Sequence, residues 1–362
     1  MAAEYPIVDS HIHLYPEAEL ETLAWVTPDN PLNKQFSLEE YAAATGAPSA
    51  LEGFIFLETD RKSTVEPGDD GKGWAMPLME VDWLRRIATG QPKEGEGHTA
   101  ADSKLCLAII PWAPVPGGAA AMEQYVGEVK KQAGESFGKI KGFRYLVQDK
   151  PKGVMLQDGF IDGLKWLGRH GYVFDLGVDQ HSGGKWQLEE AVEMISRAHE
   201  GVPEEEKVAF IISKSHAALA GRRIANPSTD HLCKPDLSIY NPTDPSFVAW
   251  RTAMYTLSSC SKTYMKLSGC FEEMPASLKS APVPEIFEAI QNHLAIILAA
   301  FGAFRIMYGS NWPVCTIGVE DSWTKWREVV QRFCYLGGLT PEEQIMIWSG
   351  TAIKAYDIKE LM

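Results

Sequence analysis

The chain has 362 residues, 45% hydrophobic and 23% charged, a globular composition with enough length to bury a large core. Its formal net charge is -14 and no stripe of Lys and Arg stands out, which argues against a nucleic-acid partner. The charge favours solubility and says little about a substrate, which senses only the field of its own pocket.

In chain order, short apolar runs alternate with helical patterns. The first run, IVDSHIHL at 7–14, reads as a strand carrying His11 and His13 on one face, about 7 Å apart along the backbone. Two neutral imidazoles converging from one rigid element make half of a transition-metal site, against the plainer reading of two unrelated histidines. A second strand is expected at 52–58 (EGFIFLE), then a loop at 59–77 and a helix at 78–89. That loop follows a strand's carboxyl end and is expected either as a lid or as plain surface. A further polar loop at 90–103 leads to a strand at 104–111 (KLCLAIIP) and a helix at 119–134.

Strands at 140–147 (IKGFRYLV) and 172–178 (YVFDLGV) follow, with helices at 157–169 and 187–200. The sixth strand, 208–213 (VAFIIS), runs into basic, weakly patterned text from Lys214 to Asp230. Then come a helix at 245–258, a strand at 263–269 (TYMKLSG), a helix at 284–300, a strand at 304–310 (FRIMYGS) and helices at 320–336 and 341–356. Each strand is brief and bounded by turn residues, as strands buried on both faces are. Strands alternating with helices imply parallel pairing, and eight of them imply an α/β fold of the (β/α)8 TIM-barrel type, one domain over 1–362.

Six cysteines (Cys106, Cys233, Cys260, Cys270, Cys315 and Cys334) form no CxxC pair and are expected as buried thiols. No apolar h-region opens the chain and no membrane-length apolar stretch occurs, so a cytoplasmic protein without a membrane partner is expected. Monomer and homodimer both stay open.

Catalytic groups of such a barrel sit at the carboxyl ends of different strands. Those ends carry His11 and His13, Glu58, Trp112, Arg144, the trio Asp179, Gln180 and His181, then His216 or His231, Lys266 with Ser268, and Asn311 beside Trp312. This set is rich in metal ligands, acid/base groups and anion binders. Plainer readings stand beside it: Arg144 as a structural ion-pair partner, Glu58 paired with Arg61, and Lys266 at the barrel's foot. His98, His170, His199 and His293 fall in loops or on helices and are expected to face solvent.

Four ordered motifs carry a resemblance: HxH in strand one, His231-Leu232-Cys233-Lys234-Pro235 after strand six, Lys266-Leu267-Ser268-Gly269 in strand seven, and Gly309-Ser310-Asn311-Trp312-Pro313-Val314 in strand eight. Together they resemble the amidohydrolase superfamily and, within it, the lactone hydrolases of sugar acids and dicarboxylates. Glu58-Thr59-Asp60-Arg61 and Lys141-Gly142-Phe143-Arg144 resemble its fungal L-rhamnono-lactonase-like members, and the resemblance spans about residues 5 to 357.

It implies a hydrolase that opens a sugar-acid lactone, the small-molecule partner, with His11, His13 and His231 as metal ligands. The metal would be a divalent ion, Zn or Mn, although some lactonases of this branch work without one. Arg144 is implied to hold a substrate oxygen, and Arg144 and His231 to act in catalysis. Glu58, Trp112, His181, Lys266 and Trp312 are expected to complete the substrate site.

The chain departs from that pattern twice. Position 311, where the family has the aspartate that takes a proton from water, is asparagine, whose amide accepts no proton at neutral pH. An engineered block, a natural loss of activity, or another base (His181, Glu58 or Asp179) would each account for it. The stretch 213–230 also reads as an inserted loop, which either displaces His231 or folds outward and leaves it in place, with His216 as a minor ligand candidate. A metal-dependent decarboxylase of a small aromatic or unsaturated acid, and an inactive binding homologue, are the alternative functions.

Overall fold

The computed structural model describes residues 5–68, 71–178, 184–213, 237 and 241–361. Eight strands form: β1 (Ile7–Ile12), β2 (Leu51–Leu57), β3 (Cys106–Ile110), β4 (Gly142–Arg144), β5 (Val173–Gly177), β6 (Phe210–Ser213), β7 (Thr263–Ser268) and β8 (Ile306–Gly309). Every pairing is parallel, in one sheet of β1 to β3 and another of β4 to β8. Parallel bridges Ile109–Ile140 and Trp112–Arg144 join the sheets on one side and Ile12–Trp312 on the other. The backbone N–H of Ala113 donates to Arg144 (2.9 Å), and that of His13 to Trp312 (2.7 Å). Both seams are thus hydrogen-bonded, and the strands follow one another around the (β/α)8 fold expected from the sequence.

Phe54 of β2 meets Tyr41 edge-on, on the helix α1 (Leu38–Thr45) outside the strands. By alternation Ile55 and Leu57 face the interior. They cluster there with Val8, Ile110, Ile211 and Met307, and Ala352, Tyr356 and Ile358 from the chain's end close this inner core. The larger apolar cluster lies between strands and helices.

The helices on the outer layer are α2 (Lys72–Ala88), α3 (Gly118–Ala133), α4 (Asp158–Arg169), α5 (Trp186–His199), α6 (Pro245–Ser258), α7 (Ala276–Lys279), α8 (Val283–Phe301) and α9 (Ser322–Leu336). Among the described residues no helix is long and apolar enough to cross a membrane. The five described cysteines are free thiols, and Cys233 lies outside the described residues.

Four expectations need correction. The second helix starts at Lys72 rather than 78, because Pro77 is tolerated inside it: the Gly73 carbonyl that proline leaves without its donor accepts the Thr64 N–H at 3.1 Å. The loop from 59 is therefore shorter than expected, and its start is pinned rather than free. The single helix at 341–356 is instead α10 (Pro341–Ile345), a π turn at Met346–Gly350, and α11 (Thr351–Ala355). Finally, His98 and His293 are buried: His293 stands edge-on to Phe247 and Trp250, and His98 meets Glu96 and the Trp83 ring.

Candidate active site

The carboxyl end of β1 carries a register irregularity between Asp9 and Ile12, where β1 has more residues than β2. Past it, His11 and His13 turn toward each other, with ring centroids 5.0 Å apart and Nε2 atoms 3.2 Å apart. His13 Nδ1 lies 3.0 Å from the Leu57 carbonyl and 3.1 Å from that of Glu58. Carbonyls only accept, so Nδ1 carries the proton and Nε2 presents its lone pair to the site.

Asp9, unremarked in the sequence, fixes where this strand end sits. Its carboxylate accepts from Ser310 N–H (2.8 Å), the Tyr41 hydroxyl (2.9 Å) and Trp323 Nε1 (3.0 Å), tying β1 to β8, α1 and α9. Burial raises its pKa, and these donors oppose the rise. Beside it, Asn311 adopts a left-handed backbone (φ 61), which asparagine tolerates, and its N–H donates to the His11 carbonyl at 2.8 Å. Its side chain is fully buried, and neither amide atom has a hydrogen-bond partner among the described residues.

A narrow cleft, with room for about one water molecule, opens at this end of the barrel. Its lining joins His13, Glu58 and Arg144 with Tyr15, Trp25, Thr59, Asp60, Leu146 and Val314. Glu58 and Arg144 are paired at 3.5 Å with side chains about 1% exposed. Burial raises the Glu58 pKa and Arg144 pulls it back.

Beneath Arg144, whose β4 residue is in register with Asp175 of β5, lies a second buried pair. Lys266 Nζ donates to Asp175 at 2.6 Å, and so does the Tyr356 hydroxyl at 2.9 Å. Burial lowers the Lys266 pKa to about 8 against the pull of Asp175.

The wall of the cleft comes from the segment between β1 and α1, for which no role was expected. Trp25 Nε1 donates to the Thr59 carbonyl (2.8 Å). The Ala24 N–H donates to Asp60 (2.9 Å), and the Lys62 N–H to Thr22 (2.8 Å). Buried Arg61 clips the two strips together, reaching Glu19 at 2.6 Å, Thr22 at 2.8 Å and Glu80 at 3.3 Å.

Of the residues expected at the site, His11, His13, Glu58, Arg144 and Asn311 gather at this end of the barrel. Lys266 is fully buried against Asp175 and does not line the cleft. Trp112 instead packs against Tyr125 and Tyr145, and Trp312 edge-on against Phe36 and Tyr41. None of these three is among the described residues that line the cleft. Asp179, Gln180, His181, His216, His231 and the 213–230 stretch beyond Ser213 lie outside the described residues. Asp60, Asp175, Tyr15 and Trp25 were not singled out for a role. A charged residue inside an apolar run was a legible signal for Asp9 and Asp175, as in VFDLG.

For a metal, two imidazole nitrogens 3.2 Å apart would subtend about 100° at a Zn ion 2.0–2.1 Å from each, so the pair fits one ion. Among the described residues no group of three His, Cys, Asp or Glu side chains is arranged to complete such a site.

A family model described as amidohydrolase matches residues 229–358. The chain is 33% identical over 366 residues to an L-rhamnono-gamma-lactonase of Scheffersomyces stipitis, covering 98% of this chain and all of that protein. It is 26% identical over 292 residues to an L-fucono-1,5-lactonase of Burkholderia multivorans, covering 78% and 84% respectively. A crystal structure of a B. multivorans amidohydrolase with bound Zn shares the fold at a TM-score of 0.66, with 22% identity over 98% of this chain and 99% of that one. The chain belongs to the amidohydrolase superfamily, in the group that holds the fungal L-rhamnono-gamma-lactonase.

Proposed function

We propose that this protein is a hydrolase that opens the ester of a sugar-acid lactone of the L-rhamnono-lactone kind. The observation that carries the reading is the convergence of the His11–His13 pair and Arg144 at one end of the barrel, in a chain related over its full length to such a lactonase. Arg144, a planar fork suited to two oxygens, holds the lactone ester group and stabilises the charge that develops on its carbonyl oxygen. Tyr15, Trp25, Leu146 and Val314 give the sugar ring an apolar wall and limit competing water.

A divalent metal, Zn or Mn, held by His11 and His13 with His231 as the further ligand, would polarise the carbonyl and lower the pKa of bound water. The His13 tautomer suits that task, since its Nδ1–H is already committed to backbone carbonyls. The reading extends to a role in carbohydrate metabolism in the cytoplasm. The 1–362 span is proposed as one domain, with 213–230 as an inserted loop.

The experiment is a panel of sugar-acid γ- and δ-lactones assayed by proton release, with and without added Zn or Mn, beside CO₂ release from 2,6-dihydroxybenzoate. Lactone opening without decarboxylation is the expected result. CO₂ release alone would replace the reading with the decarboxylase, and neither activity would leave a binding homologue.

A further inference from the structure

Among the described residues two carboxyl groups line the cleft, Glu58 and Asp60, and they are held differently. Glu58 is sealed: one oxygen lies 3.5 Å from Arg144 Nε and the other accepts the Asp60 N–H at 2.6 Å. The Asp60 carboxyl has no hydrogen bond or ion pair among the described residues, and it is half-buried. Its position is nonetheless rigid. Asp60 sits in a left-handed turn (φ 56), its carbonyl accepts the Ala24 N–H, and Arg61 clamps the next residue. At the end of β8, Asn311 supplies a buried amide where the resemblance calls for a carboxylate.

We propose that Asp60 is the proton-transferring carboxylate of this site, doing at the end of β2 the task expected at the end of β8. The inference rests on the lactonase reading. Ionised Asp60 takes a proton from water as the water oxygen bonds to the lactone carbonyl carbon. It returns that proton to the ring oxygen as the carbonyl carbon–oxygen bond of the ring breaks. One C–O bond forms and one breaks, the product is the open hydroxy acid, and the carboxylate is regenerated without a further co-reactant.

The surroundings suit a base working near neutral pH. Burial and the charges of Glu58 and Asp149 push Asp60 up to about 8, while Lys150 and Arg144 pull it down. His13 also lines the cleft, and the Ala24–Trp25 strip bonded to the Asp60 carbonyl carries no charge. A base matched to the operating pH transfers protons most effectively.

The test is Asp60→Asn, since asparagine is similar in size and also tolerates the left-handed turn. On a sugar lactone that the parent hydrolyses, kcat is expected to fall by about 100-fold or more with KM changed less than about threefold. Adding Asn311→Asp to that variant returns a carboxylate to the end of β8 and is expected to recover about tenfold or more of the loss. Parent kcat should also rise toward a plateau above about pH 8, a reading that needs no variant. A kcat of Asp60→Asn within about threefold of the parent, or a parent profile flat from about pH 6 to 9, overturns the assignment. A parent that opens no lactone overturns the lactonase reading and this inference with it.

Discussion

Replacing Arg61 by methionine removes the clamp between the cleft wall and the β2 loop while keeping most of the side-chain volume. Arg61 is 2% exposed and serves Glu19, Thr22 and Glu80 at once. Glu80, equally buried, would keep only its bonds from the Thr59 N–H and hydroxyl. Breaking a buried pair by removing one partner costs about 3–5 kcal/mol, so Arg61→Met should lose that much at pH 8. The cost depends on pH, with a sign set by Glu80. Burial raises its carboxyl to about 7, above the ordinary 4.5, and Arg61 opposes the rise.

A carboxyl raised in the fold contributes stability that is present below the unfolded pKa and is lost as pH rises through the folded one. Without Arg61 the folded pKa climbs further, so the variant keeps Glu80 protonated to higher pH. At pH 5 Glu80 is already largely protonated in both proteins, and the missing cation matters less. The difference between parent and variant should therefore be larger at pH 8 than at pH 5. Urea unfolding at the two pH values measures it, and Glu80→Gln added to Arg61→Met should remove most of the pH dependence. A cost below about 1 kcal/mol at pH 8, or one that grows toward pH 5, would mean that Glu80 does not depend on Arg61 for its charge.

Tyr356→Phe deletes a single hydroxyl that donates to buried Asp175 at 2.9 Å, and is expected to cost about 1.5–3 kcal/mol in urea unfolding, as hydrogen bonds to charged groups do. A loss under about 0.5 kcal/mol would mean that Asp175 is satisfied without this hydroxyl. Gly309→Ala places a methyl 2.9 Å from the His11 Cβ, closer than side-chain carbons approach. The expected outcome is a loss of about 1–3 kcal/mol together with a fall in lactone turnover, because the displaced group is His11. Unchanged turnover at reduced stability would place the strain elsewhere than on the histidine pair.

The eight strands were legible because strands buried on both faces write themselves as apolar runs bounded by turns, and IVDSHIHL or VAFIIS admit little else. The histidine pair was legible for the same local reason. What the sequence hid is mostly non-local. The partners of Asp9 lie 32, 301 and 314 residues away, and Asp175 meets Lys266 and Tyr356 at separations of 91 and 181. No window of periodicity reaches so far. The α1 helix was missed because eight residues give little periodicity, although the capping box of Ser37 and Glu40 was a local signal for its start. Trp25 and Tyr15 became the cleft wall through the Arg61 clamp, which no spacing announces. Trp112 and Trp312 sit at strand ends as expected, with their rings packed edge-on against Tyr125 and Phe36, partners distant in sequence.

The central claim is that the His11–His13 end of the barrel opens a sugar-acid lactone. Initial rates on L-rhamnono-γ-lactone, for the parent and for His13→Gln at matched melting temperature, test it most directly. Turnover by the parent is expected, with a loss of about 100-fold or more in the variant, the scale of removing a group that stabilises the reacting carbonyl. Equal rates in the two proteins, or no hydrolysis by the parent, would contradict it.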